Sequence, residues 1–487
     1  MPTATSTSDP GPAHRRDWLR PALLIVAAVT LWRVAGLAVA QTDLFVDESQ
    51  YWLWGRSLDW GYYSKPPLIA WVIRAFTWAG GDSPFVIRLP GPLFHAATAL
   101  ILGVAAERWG MRAAFWTAVS YVTVPFAAVG SALISTDTIM APFYALAVLY
   151  WLRLTETRRA RHALLAGAAA GTGFLAKYAA VYFLGGAALA ALLPALRIGW
   201  RNAALIAAAF LAVAMPNLAW NAANGFATVG HTMDNVGWIR EEPSLVRLDP
   251  AGALRFLLSQ LAVFGPVLFG GLVAAAVHPR DDRIRALALA SIPIVLLVTA
   301  QALLSRAYAN WAVAAYFAGS IAAVAVLVRR PALLRASLAV NLALTLALPV
   351  ATAVAPSFEV GGKPVLSRYL GRADLSRQII GQAGFQGAKI VVASDRDVLA
   401  DLFYTGRDSG LAFRALPTGR PPRNYYEQTY TLGPGDSGLV LAVLARPPAC
   451  AGGVRPPLAR LDVANGAYAG KPLAVYLVGV NCLLPDA

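Results

Sequence analysis

The sequence predicts a mainly α-helical, polytopic membrane protein with a small α/β domain at its C-terminal end, on three observations. Hydrophobic residues make up 57% of the 487-residue chain and charged residues only 14%, and the mean hydropathy is +0.55, which excludes an ordinary soluble globule. Apolar runs of about twenty residues recur, the length a helix needs to cross a hydrocarbon core of about 30 Å. After Pro356 the composition shifts to short apolar segments separated by polar turns, as in a mixed sheet with helices.

Windows of about twenty residues place about eleven spans, near 20–40, 85–106, 113–130, 136–152, 163–177, 179–195, 202–219, 254–277, 286–304, 309–327 and 333–354. Every second connection is basic: Arg15/Arg16/Arg20, Arg108/Arg112, Arg153/Arg158/Arg159/Arg161, Arg197/Arg201, Arg280/Arg283/Arg285 and Arg329/Arg330/Arg335. The positive-inside rule makes these cytoplasmic and sets the intervening connections, together with everything after 355, outside. The formal charge of +15 is thereby read as topology, and no nucleic-acid partner is expected. The expected organisation is a disordered cytoplasmic segment over 1–17, rich in Ser, Thr, Pro and Gly, a transmembrane domain over 18–355 with its first external loop at 41–84, and an external α/β domain over 356–487. In that last domain KIVVAS (389–394), GLVLAVLAR (438–446) and PLAVYLVGV (472–480) read as strands, and DRDVLADLFYT (395–405) as a helix.

The first external loop, FVDESQYWLWGRSLDWGYYSKPPL (45–68), carries its own structure. Ser49 to Arg56 is expected as a short helix whose aromatic rings suit the membrane interface, Leu58 to Gly61 as a turn, and Pro67 as the opening of a second interfacial helix. Asp47, Glu48 and Lys65 are then held at the water boundary.

Lysine usage singles out two positions. The chain has 41 basic residues but only five lysines, and only Lys65 and Lys177 precede residue 363. Both lie on the expected external side, where a compact ammonium suits a phosphate oxygen, although a snorkelling interfacial lysine explains them too. The acids share this geography: Asp47 and Glu48 open the loop, Asp137 sits in ISTDTIM at the external start of the fourth span, and Asp234, which reads as a loop residue, lies in a long external connection. Carboxylates at membrane level tend to be functional, yet Asp47 could serve as a helix cap and Asp137 as an acid favoured by a helix dipole. GAAAGTGFLAKY (167–178) lacks the GK[ST] ending of a phosphate loop, so Gly167 and Gly171 read as a close helix contact. His95, His162 and His231 are scattered, and no Cys/His spacing suits a metal. Cys450 and Cys482 both fall in the external domain, where either a disulfide or two buried thiols is compatible with the sequence. Carboxylates and lysines at one membrane face suit displacement of a phosphate leaving group from a lipid-carried substrate: the carboxylate takes a proton from an acceptor hydroxyl and the cations stabilise the departing phosphate.

DESQYWLWGRSLDWGYYSKPPLIAWVIR (47–74) resembles the first-loop signature of the GT-C superfamily of membrane glycosyltransferases related to protein O-mannosyltransferases and the lipid A aminoarabinose transferase. FVIRLPGPL (85–93), STDTIMAPF (135–143), GFLAKYAAV (173–181) and ANWAVAAY (309–316) follow in the order such proteins show. The resemblance implies an inverting transferase of the bacterial inner membrane that takes a sugar from a polyprenyl-phosphate donor at the periplasmic face and passes it to lipid A, core oligosaccharide or another envelope glycan. It implies Asp47, with Glu48 beside it, as catalytic residues, and Lys65, Lys177, Tyr178 and Arg306 as ligands of the donor phosphate. Asp137, Tyr63, Tyr308 and Asn310 would line the same cavity. In the aminoarabinose transferases a glutamate commonly precedes the lysine, and many relatives carry histidine instead of the lysine. This chain has Ser64–Lys65, which leaves the donor sugar and any divalent cation open. The alternatives are a protein O-mannosyltransferase-like enzyme and a lipid-linked glycan flippase.

Overall fold

The computed structural model describes residues 17–235, 248–450, 453–461 and 466–484. The expected disordered segment over 1–17 lies, but for its last residue, outside them.

Among the described residues six helices are long and apolar enough to span a membrane: Leu19–Val39, Pro84–Trp109, Thr136–Thr157, Trp200–Ala223, Asp282–Leu304 and Pro331–Ala353. Two bent pairs raise the number to eight if each is one crossing: Met111–Thr123 with Pro125–Ala132, bent by 49°, and Pro250–Phe264 with Pro266–Val277, bent by 107°. Proline causes both breaks, because its ring displaces the preceding residue from helical geometry. Val124 is extended (ψ 144°), and Gly265 takes a φ of 87°, where a Cβ would also meet Asn341 Oδ1 at 2.6 Å.

The expectation of eleven full-length spans is therefore too high by helix length alone. Windows 163–177, 179–195 and 309–327 become Ala160–Ala176, Tyr182–Ala190 after one 3-10 turn, and Ala315–Leu327, of 17, 9 and 13 residues. A 13-residue helix rises about 20 Å, less than a hydrocarbon core. Extended Lys177 (φ −154°, ψ 131°) separates the first two, at the boundary between their windows.

Small residues allow close packing in this bundle, as lipid offers no hydrophobic drive for helix association. Gly167 and Gly171 are the close contact the sequence suggests: a Cβ on them would lie 2.2 Å from Ile206 O and 2.9 Å from Phe210 O, respectively. Leu24, Leu31, Leu296 and Leu297 are exposed on the outside, as a lipid-facing belt requires. The basic connections meet at one end, where Arg108 pairs with Glu156 (2.9 Å) and Trp109 Nε1 donates to Asp281 (2.8 Å). Gln41 and Thr352 join by a backbone bond of 2.9 Å at the other end, beside the C-terminal domain.

That domain contains a five-stranded sheet in the order Ala412–Ala415, Ile390–Ala393, Leu439–Leu444, Ala474–Gly479, Ala459–Arg460. The first three strands are parallel and the last two antiparallel. The three sequence-derived strands and the Arg396–Thr405 helix all form. Cys450 and Cys482 are joined in a disulfide, Cα–Cα 4.9 Å, resolving the alternative the sequence left open.

The Arg396–Thr405 helix docks the domain onto the first loop. Trp52 stands edge-on to Tyr404 at 5.1 Å, and both rings reach Asp82: Trp52 Nε1 donates to its carboxylate (2.7 Å) and Tyr404 Oη to its carbonyl (2.6 Å). The loop aromatics are consequently not membrane anchors as a group, a correction to the sequence reading. Tyr51, Trp52 and Trp54 are buried, with Trp54 stacked on Tyr62 at 4.7 Å, whereas Trp60 and Trp78 remain exposed. An aromatic row beside a span suits a lipid interface or a docked domain equally, and here the domain takes most of it.

Asp401, buried on the same helix, accepts from Thr405 Oγ1 at 2.9 Å. Burial pushes its carboxyl up to about 6 against an ordinary 3.8, despite the hydrogen bonds from Ser376 and Thr405. A raised folded-state value means its favourable contribution is complete below the unfolded value and lost as pH rises through about 6. The loss amounts to about 3 kcal/mol when complete. Asp401→Asn is accordingly expected to raise the detergent-solubilised protein's melting temperature at pH 8 and to leave it nearly unchanged at pH 4. Equal shifts at both pH values would contradict this.

Candidate active site

The helix holding the Asp–Glu pair begins at Val46, three residues earlier than expected, and runs to Arg56. This start decides which acid can face a ligand, because consecutive helical residues point about 100° apart. Glu48, 1% exposed, turns inward. It accepts from Arg88 Nε (3.0 Å) and Nη2 (2.7 Å), from the Ile134 backbone N–H (2.9 Å), and from its own helix start at Phe45 N (2.9 Å). Arg88 also donates to Thr42 and to the Asp43 carbonyl. Glu48, expected in the catalytic cleft, is thus placed away from the open side of the helix, with its oxygens engaged in fixing the loop to the bundle.

Asp47 faces the other way, surrounded by protein but with its side chain 45% exposed, as on the wall of an open cleft. Arg396, from the C-terminal domain, donates to its Oδ1 at 2.6 Å. Burial pushes the Asp47 carboxyl up, but Arg396, by charge and hydrogen bond, and Lys65 together outweigh it and hold the group below the usual carboxylate range. Gln50 supports the arrangement: its Oε1 accepts from Arg396 Nε (3.2 Å) and Nη2 (3.0 Å), and its Nε2 lies 3.5 Å from Ser64 Oγ.

Lys65 lies within electrostatic reach of Asp47, Asp137, Lys177 and Arg396. Burial, with repulsion from Lys177 and Arg396, lowers its ammonium's pKa, partly offset by the two acids. Tyr62 N–H donates to the Lys65 carbonyl at 3.2 Å. Lys177, at the extended break, grips Asp137 with both oxygens (2.7 and 2.8 Å), and Asn310 Nδ2 donates to the same carboxylate at 3.1 Å. Asp47, Lys65, Asp137, Lys177 and Asn310 are therefore brought together at one end of the bundle, opposite the basic connections.

The other expected residues lie around this group. Tyr178 Oη donates to Asn217 (3.0 Å) and accepts from Asn221 (3.0 Å). Tyr63 donates to the Pro422 carbonyl (3.1 Å), Arg306 Nη2 donates to the Asp234 carbonyl (3.3 Å), and Tyr308, half exposed, packs on Trp311. Two residues escaped the sequence reading. Arg396 is separated from Asp47 by 349 residues, and its basic character is ordinary for a surface helix. His231, set aside as scattered, packs 5.0 Å from the Tyr63 ring. Burial, with Lys65 and Arg396 nearby, lowers its pKa to about 4 and keeps the imidazole neutral.

Among the described residues no three His, Cys, Asp or Glu side chains converge as metal ligands. Asp47 and Asp137 are each engaged by a cation, so this donor set does not fit a divalent ion.

A model of the dolichyl-phosphate-mannose-protein mannosyltransferase family matches residues 64–220. The lipid A galacturonosyltransferase RgtD of Rhizobium johnstonii is 42% identical over 475 residues, 96% of this chain and 99% of that one. The crystal structure of ArnT from Cupriavidus metallidurans bound to undecaprenyl phosphate has a similar fold, with a TM-score of 0.66, 16% identity, and coverage of 95% of this chain and 99% of that one. The oligosaccharyltransferase AglB of Archaeoglobus fulgidus is a more distant likeness, with a TM-score of 0.50, 13% identity, and coverage of 88% and 70%. With such identity across nearly the whole of both chains, the protein belongs to the GT-C membrane glycosyltransferases, in the family of the lipid A galacturonosyltransferase.

Proposed function

We propose that this glycosyltransferase takes a galacturonosyl group from a polyprenyl-phosphate donor and transfers it, with inversion, to a hydroxyl of lipid A at the periplasmic face of the bacterial inner membrane. The observation that carries the reading is the single cluster of Asp47, Lys65, Asp137, Lys177 and Arg396 at the end of the bundle opposite the basic connections. The near-full-length similarity to a lipid A galacturonosyltransferase supports the sugar and the acceptor, and the shared fold of a protein crystallised with undecaprenyl phosphate supports the donor carrier. The basic connections support a cytoplasmic end for the opposite side. The disulfide of the C-terminal domain supports placing that domain at the periplasmic face, where oxidation is permitted.

In the step itself Asp47 takes the proton of the acceptor hydroxyl as its oxygen forms a bond to the anomeric carbon. The bond from that carbon to the phosphate oxygen breaks, and its electron pair leaves with the polyprenyl phosphate. Lys65 makes no hydrogen bond or ion pair with another side chain among the described residues, so its ammonium is available to the phosphate as charge builds there. Lys177, held by Asp137, adds positive potential and fixes the cleft wall. The flippase alternative loses ground because Asp47, Lys65, Asp137, Lys177 and Arg396 cluster at one face.

Mass spectrometry of envelope lipids with and without the gene tests this reading: loss of a uronic acid from lipid A is expected, and an unchanged lipid A contradicts it. Lys65→Met is expected to raise the KM for the donor about 10- to 100-fold, the worth of a hydrogen bond to a charged group. Steady-state kinetics in detergent check it, and an unaltered KM would remove Lys65 from the phosphate site.

A further inference from the structure

We infer that Arg396 selects the donor sugar by pairing its guanidinium with the C6 carboxylate of a uronosyl donor, and that this exchange frees Asp47 to act as base. The inference rests on the galacturonosyl reading above and adds the residue that reads the sugar.

Four observations carry it. The guanidinium already holds a carboxylate, that of Asp47 at 2.6 Å, which stands in for the ligand's own. It is oriented before any ligand arrives: buried Gln50 fixes its Nε and Nη2, while Nη1 makes no hydrogen bond among the described residues. A planar fork so held suits bidentate carboxylate recognition. The site offers two cations for two anionic groups, because a uronosyl phospholipid carries a phosphodiester at C1 and a separate carboxylate on C5, flanking the ring oxygen. Lys65 and Arg396 are not joined to each other and approach Asp47 separately, whereas Lys177 is occupied by Asp137. Finally, the Tyr426 hydroxyl is fully buried without a hydrogen-bond partner and close enough to feel both Arg396 and Asp47. A phenol lacking an acceptor beside a guanidinium is a second donor for an incoming carboxylate. Ser64, on the far side of Gln50, adds no charge that would repel one.

The consequence is a coupling between recognition and chemistry. While Arg396 holds Asp47, the carboxylate is ionised but a weak base. When the sugar carboxylate takes the guanidinium, Asp47 loses its cation and accepts the acceptor proton more readily. Arg396 stays protonated throughout, so the proton and electron balance of the transfer is unchanged. A neutral sugar cannot make this exchange and leaves Asp47 tied.

The test uses the full-length enzyme with two donors that differ only at C6, polyprenyl-phosphate galacturonate and polyprenyl-phosphate galactose. For the wild type the galacturonate donor is expected to have the higher kcat/KM by about 10- to 100-fold, the range for a charge-assisted hydrogen bond. Arg396→Gln should bring that ratio close to one, and Arg396→Lys, which keeps the charge but not the fork, should leave an intermediate ratio. Melting temperatures of both variants confirm the fold. An unchanged ratio in Arg396→Gln, or equal losses with both donors, overturns the assignment and leaves galacturonosyl transfer standing. A wild type that uses only the galactose donor overturns the galacturonosyl reading, and the Arg396 assignment with it.

Discussion

Asp47→Asn is expected to lower transfer by about 10²- to 10⁴-fold, the usual worth of a general base, while the protein inserts and melts as the wild type does. The amide preserves the shape of the side chain and can still accept from Arg396 through its oxygen, so the contact between loop and C-terminal domain survives. What it loses is the ability to take a proton. The comparison is a transfer assay beside a thermal melt on the same preparation, and wild-type activity in the variant would remove Asp47 from the mechanism. The pH profile adds a signed check. Arg396 and Lys65 hold the Asp47 carboxyl below its ordinary range. The acidic limb of kcat/KM, which reports the free enzyme, should therefore fall below the ordinary carboxylate value and move upward in Arg396→Gln.

The neighbouring residue should behave differently. Glu48→Gln leaves Arg88 buried with a neutral partner, and breaking such a pair costs about 3–5 kcal/mol. A lower melting temperature and poor recovery from the membrane are expected, with activity falling in proportion to folded protein. Replacing both partners, Glu48→Leu with Arg88→Met, removes the uncompensated charge and should restore much of the melting temperature. The backbone groups that Arg88 now satisfies at Thr42 and Asp43 limit the recovery. If Glu48→Gln melted like the wild type but lost transfer, Glu48 would rejoin the catalytic cleft.

These two adjacent acids show what the sequence carried and where it stopped. Membrane character, the C-terminal sheet and the helix at 395–405 follow from hydropathy and periodicity, which are local properties. Lys65 stood out through the scarcity of lysine, and Asp47 through an acid at membrane level. Separating Asp47 from Glu48 required knowing that the helix begins at Val46; with a start at Ser49 both sit in a loop and either can face the cleft. Arg396 could not be read at all, since its place beside Asp47 arises only when a helix of the C-terminal domain docks against Trp52. His231 was missed for the same reason: its partners Tyr63, Lys65 and Arg396 come from two other parts of the chain. The span count erred in the opposite direction, because a hydropathy window scores composition and not helix length, and so admits the helices of 17, 9 and 13 residues as full spans.

The central claim is that Asp47, Lys65 and Arg396 form one site that moves a uronosyl group between two lipids. Purified wild-type protein in proteoliposomes, given polyprenyl-phosphate galacturonate and lipid A, should yield galacturonosylated lipid A and free polyprenyl phosphate in equal amounts by mass spectrometry. The Asp47→Asn protein should yield neither. Donor that crosses the bilayer intact with no new glycosidic bond, or equal product from both proteins, would contradict the account.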